Sequence, residues 1–224
     1  MKIKEYLLGS ITIFAGIIFF LILLINIFLV QGSFLTYTNE KYQVDVSLSL
    51  SKEDLKKATY AMVDYVTGKI DSPQVTVSVK GKETDFFNEK EIGHLADVRA
   101  VIVLIYVIMA ICGIVSLLGA VYLWKRNKLV ALRKGVYIAW SIILVLALVI
   151  AFIAVIDINI LIVGFHKLFF TNDNWMLNFA TDRSVWMFKE VMYADVLIRI
   201  GAITGGIAVV TLGGAIISKK LKAD

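Results

Sequence analysis

The chain has 224 residues, 59% of them hydrophobic, and a formal net charge of +5. Its mean hydropathy of +0.81 lies well above that of a soluble globular domain, which excludes an ordinary cytoplasmic enzyme. Its one cysteine, Cys112, excludes a disulfide framework and a CxxC metal site. Cys112 lies inside an apolar run and reads as a small packing residue.

Residues 1–30 hold an N-terminal tip and an apolar run of 24 residues, 7–30. A helix crosses a bilayer core with roughly 20 residues, whereas a signal peptide has a core of about 7–15 and a small-residue cleavage site. The run is therefore expected to be a retained anchor. Further spans are expected at 100–123, 135–156 and 196–217. The predicted fold class is a polytopic α-helical membrane protein: four transmembrane helices with a small extracytoplasmic α+β head between the first and second.

That head would occupy residues 31–99, including the helix that leads into the second span. Residues 42–50 alternate through Val44, Val46, Leu48 and Leu50, the pattern of a half-buried strand. Ser51 then precedes Lys52, Glu53 and Asp54, an N-cap signal for a helix to about Thr67, which Gly68 ends. Leu55, Ala58, Met62 and Val66 give it one apolar face. Asp71, Ser72 and Pro73 form a turn, and residues 74–80 alternate again through Val75, Val77 and Val79.

Asn88 with Glu91 forms a capping-box pattern that starts a helix at the end of the head. On that helix His94 and Asp97 are i and i+3 and share a face. A carboxylate there could fix the imidazole tautomer. The plainer reading is an interfacial histidine among ordinary flanking charges. Beyond the second span lie a basic loop (124–134), the third span, an outer loop (157–195), the fourth span and a tail (218–224). The outer loop stays apolar after Asp157 and Asn159 and then gives Phe165, His166, Leu168, Phe169 and Phe170. Such a segment is expected to lie in the interface plane. Trp175, Trp186 and Tyr193 fit an aromatic belt. Thr181 and Asp182 are a plausible N-cap for the helix feeding the fourth span. Glycines such as Gly113, Gly119, Gly201 and Gly205 read as close helix packing in lipid.

Charge sets the orientation. The tip, the basic loop and the tail together hold ten cations, among them Lys125, Arg126 and Lys219, against Glu5 and Asp224. The rest of the chain holds thirteen against sixteen acids. The positive-inside rule places both termini in the cytoplasm and both long loops outside. The polar residues that enter the spans then cluster at their outer ends: Asn26, Asp97, Arg99, Asp157, Asn159, Asp195 and Arg199, with both histidines beside them. Polar groups at such a depth pair, line a cavity or snorkel. This is also the depth of glycerolipid ester carbonyls. Histidine can give and take protons in acyl transfer there, and a cation or amides could stabilise an oxyanion. No GxSxG, HExxH or Gly-rich phosphate loop is present, and the basic clusters read as topology signals rather than a nucleic-acid patch. Two other readings stand beside a histidine-assisted acyl transferase. One is a non-enzymatic sensor or accessory protein with a partner-binding head. The other is a b-type cytochrome with two axial histidines.

GHLADVR at the start of the second span, followed by FHKLFF and then NDNW, resembles the bacterial lipoprotein intramolecular transacylase family of Gram-positive bacteria. The resemblance implies a multi-pass enzyme of the bacterial cytoplasmic membrane, with its active site at the outer leaflet and no cofactor or metal. Its partners would be diacylglyceryl-modified lipoproteins and membrane lipids. The reaction implied moves the sn-2 acyl chain of an S-diacylglyceryl cysteine to that cysteine's own α-amino group, giving the lyso-form lipoprotein. The family's two essential histidines match His94 and His166, one as base and the other as acid. Position alone suggests Asp97 as an orienting partner for His94, and Arg99, Asp157 and Arg199 as lining residues.

Overall fold

A computed structural model describes residues 3–220. Lys2, Lys222 and Asp224, part of the charge pattern, lie outside the described residues. The elements are α1 (Ile3–Leu29), α2 (Gly32–Lys41), α3 (Val44–Leu48), α4 (Lys52–Val66), β1 (Thr76–Val79), β2 (Lys82–Asp85), α5 (Glu89–Lys125), α6 (Leu129–Phe169), a 3-10 turn (Ser184–Phe188) and α7 (Glu190–Lys220). Four of the helices, α1, α5, α6 and α7, are long and apolar enough to cross a membrane. The chain divides into two compact units.

The span unit comprises the described residues up to Leu24, Tyr106–Ile156 and those from Leu197 onward. Ile17, Ala139, Trp140 and Ile143 form its core. The Trp140 indole donates to Thr211 Oγ1 at 2.9 Å, which satisfies a polar group that lipid would not. Backbone meets backbone where α1 and α6 cross. A Cβ on Gly9 would overlap the Ala131 carbonyl, and one on Gly135 would overlap the carbonyl of Gly9. By contrast, no described atom lies within 4 Å of a Cβ placed on Gly201 or Gly205. Gly201 and Gly205 therefore meet no neighbouring helix among the described residues.

The loop unit comprises Ile25–Ile105 and Asp157–Val196. Its core gathers Leu35, Val44, Met62, Val77, Phe86 and Leu95. Ser51 caps α4, its Oγ accepting from the Asp54 N–H at 3.0 Å, and Gly68 turns the chain at φ +81°, as expected. The strand expected at 42–50 is instead one turn of helix, α3. Gln43 (φ 51°) and Ser49 (φ 54°) are left-handed at its two ends, so the extended run cannot form. Val44 is buried while Val46 is 68% exposed. Alternation had no partner strand to complete it. The second alternating stretch does become a strand, β1, which pairs antiparallel with β2. The two are joined by Lys80 and Gly81, both at positive φ, as a tight hairpin turn of the primed type requires.

Candidate active site

Helix α5 is started by the capping box read from the sequence. Asn88 Oδ1 accepts from the Glu91 N–H at 2.9 Å, and Glu91 Oε2 accepts from the Asn88 N–H at 2.9 Å. Glu91 is 1% exposed, and its other oxygen accepts from the Ser184 N–H at 2.6 Å. Asn88 Nδ2 donates to Asp182 Oδ1 at 2.8 Å. Thus Asp182 does not cap α7, which begins at Glu190. It ties the outer loop to the start of α5. Burial pushes its carboxyl up, but hydrogen bonds from Asn178, Asn88 and Thr181, with the Lys90 charge, outweigh that and hold it below the usual range.

One face of α5 sends Ile92, Leu95 and Val98 into the loop-unit core. His94 and Asp97 lie on the adjoining face. His166 reaches the same place from α6. That helix is interrupted at Asp157, which is extended (φ −164°, ψ 112°). Asp157 Oδ1 accepts from the Asn159 N–H at 2.8 Å, so its carboxylate caps a second helical segment, 158–169. That segment carries FHKLFF.

The imidazoles of His94 and His166 lie 5.7 Å apart between ring centroids. Phe170 packs on both, at 5.3 Å from His94 and 5.4 Å from His166. Trp175, expected in an aromatic belt, stacks on His166 at 5.1 Å. His166 Nδ1 is 2.7 Å from the Ile162 carbonyl. A carbonyl only accepts, so Nδ1 carries a proton, and in the neutral ring Nε2 presents a lone pair. His94 Nδ1 is buried without a hydrogen-bond partner. His94 precedes the apolar span that begins at Ala100. Burial pushes its value down from 6.5 to about 4, His166 adds to that, and Asp97 partly opposes it. His94 is therefore neutral at physiological pH.

The proposed partner of His94 behaves differently from expectation. Asp97 Oδ2 accepts from Asn172 Nδ2 at 2.8 Å and makes no hydrogen bond to His94, so it acts on the imidazole through charge. Arg99 is turned onto the core side. Its guanidinium lies 5.2 Å from the Tyr65 ring centroid and donates to the Ile70 carbonyl at 3.4 Å. Arg199 lies on α7 in the span unit. The sequence reading gave no role to Asn172 or Asn174, although both stand in NDNW, six and eight residues after His166. That fixed spacing was the available signal.

Two imidazoles that share Phe170 stand side by side in a multi-pass helical protein, an arrangement that can pass a proton. The chain belongs to the lipoprotein intramolecular transacylase family: the profile described as lipoprotein intramolecular transacylase Lit matches residues 10–193. It is a membrane acyltransferase acting on lipoproteins, and this places it outside the sensor and cytochrome readings. Its fold is similar to a structure of the membrane-integral Lit from Bacillus cereus, with a TM-score of 0.68 at 19% identity over 98% of this chain and 94% of that one. A variant of the same protein with one histidine replaced by arginine gives 0.71 at 20% identity, over 99% and 94%. A variant with that histidine replaced by alanine gives 0.71 at 18%, over 99% and 95%. Among curated proteins no sequence matches.

Proposed function

We propose that His94 and His166 together carry the protons of this acyl transfer. The substrate is a lipoprotein whose N-terminal cysteine bears an S-diacylglyceryl group. The neutral α-amine attacks the sn-2 ester carbonyl of the same molecule. A C–N bond forms, and the carbonyl π pair moves onto oxygen. His166 Nε2 takes the proton that the nitrogen sheds. The carbonyl then re-forms, the bond to the sn-2 oxygen breaks, and that oxygen receives the proton through His94. Ester and amine become alcohol and amide with no net change in protons. Donor and acceptor share one molecule, so the protein's main tasks are to fold the substrate and move a proton.

The single observation that carries this reading is the His166 hydrogen bond to Ile162, which leaves Nε2 as acceptor beside a second imidazole. His94, with an imidazolium disfavoured by burial, holds a proton only briefly and gives it up readily. Asp97 favours that transient cation by its charge. Mass spectrometry of a lipoprotein's N-terminal peptide, from a host making only diacylglyceryl lipoproteins, tests the reading. The wild-type chain should leave total acyl mass unchanged and shift one chain from glycerol to nitrogen. His94→Ala and His166→Ala should leave both chains on glycerol. A shift that persists in either variant contradicts the assignment.

The lysine and arginine asymmetry supports cytoplasmic termini and a site at the outer leaflet of the bacterial cell membrane. In a Cys112→Ser background, an impermeant thiol reagent should label Glu83→Cys on intact cells and spare Asn127→Cys. The reverse labelling would invert the topology.

A further inference from the structure

Acyl transfer through a tetrahedral intermediate needs a donor for the carbonyl oxygen as it becomes negative. Arg99, the lining cation that the sequence reading placed on the His94 helix, is engaged by Tyr65 and Ile70. The loop that follows His166 offers a neutral alternative. Asn172 uses both ends of its carboxamide: Nδ2 donates to Asp97 Oδ2 at 2.8 Å, and Oδ1 accepts from the Asn174 N–H at 2.9 Å. This pins the backbone of Asn174 to the helix turn that carries His94. The Asn174 side chain then lies against Gly93, its Nδ2 3.1 Å from where a Cβ on Gly93 would stand. Its sequence neighbour Trp175 stacks on the His166 ring. Asn174 is thus bracketed between residues adjoining both histidines. Its carboxamide has no hydrogen-bond partner among the described residues, although Asn172, two positions earlier, spends both of its polar ends on protein groups.

We propose that the Asn174 carboxamide is the oxyanion donor of this site, hydrogen-bonding the sn-2 carbonyl oxygen through Nδ2 as the α-amine adds to the carbonyl carbon. The donation strengthens as negative charge gathers on that oxygen. It relaxes when the oxygen's electron pair re-forms the carbonyl and the bond to the sn-2 oxygen breaks. Gly93 leaves the space that the amide occupies, and Asn172 holds it there as a positioning residue.

The inference rests on the two-histidine reading of the site, and the test separates the two. Purified protein in detergent is given a synthetic S-dipalmitoylglyceryl lipopeptide, and N-acyl product is followed by mass spectrometry. Asn174→Ala removes the amide, and Asn174→Asp keeps its shape without the donor. Both should lower kcat by about 10²–10³, the range for loss of one such donor, with KM unchanged and an unaltered thermal transition. Retention of kcat within about threefold in either variant, or a change in KM alone, overturns the donor role and leaves the histidines untouched. Unfolding of both variants assigns the amide a structural role and overturns it equally. Loss of the histidines' own effect would instead sink the reading on which it rests.

Discussion

His94 is held between opposing influences. Burial and the neighbouring imidazole disfavour its charge, and Asp97 favours it. The result has a consequence for stability as well as for chemistry. Its folded value, about 4, lies below the ordinary 6.5. Between those values the unfolded chain binds a proton that the native chain does not. Stability contributed by neutral His94 is therefore full above about 6.5 and is lost as pH falls towards 4. The unfolding midpoint in detergent should drop as the buffer is taken from about pH 7 to about pH 4.5, and His94→Gln should flatten that slope. An equally steep slope in the variant would mean that other groups set it. Trp175 makes a related point at the same scale. An exposed-belt aromatic and a ring stacked on a histidine have the same sequence signature, and only the fold separates them.

Among the elements, the small-residue positions divide into two kinds. Gly9 and Gly135 stand where the backbones of α1 and α6 touch, so even one methyl group must push a carbonyl aside. Gly135→Ala should destabilise the protein by about 1–3 kcal/mol, as overpacking does. Gly205→Ala meets open space and should be neutral or slightly stabilising, because alanine is the better helix former. Thermal unfolding of the two variants checks this, and equal midpoints would contradict the crossing. The same contrast shows what the sequence could reveal. Long apolar runs, the Ser51 cap, the Asn88–Glu91 box and the His94–Asp97 spacing are local, and each was legible. The Gly9–Gly135 crossing joins residues 126 positions apart, and no local pattern reports it. α3 was misread because period-two alternation describes side chains, while the left-handed backbone at Gln43 and Ser49 ended the run. Asp157 was read as a polar lining residue. That its carboxylate also caps a helix depends on a break in α6 that continuous hydrophobicity conceals.

At the scale of the whole molecule, the histidines are 72 residues apart in sequence and come from two different helices. The turn at Asp157 and the Asn172 bridge to Asp97 bring FHKLFF and NDNW back to the start of α5. The site is thus a product of how the loop unit closes, which explains why its pair of motifs was readable but its asparagines were not. If the imidazoles pass one proton between them, they act as a unit, and removing both should cost no more than removing one. The most direct test measures kcat for N-acyl transfer in wild type, His94→Ala, His166→Ala and the double variant, on one defined lipopeptide. Each single change should cost about 10²–10⁴, and the double variant should match the worse single one. Costs that multiply in the double variant would show two independent contributions and contradict a shared proton path.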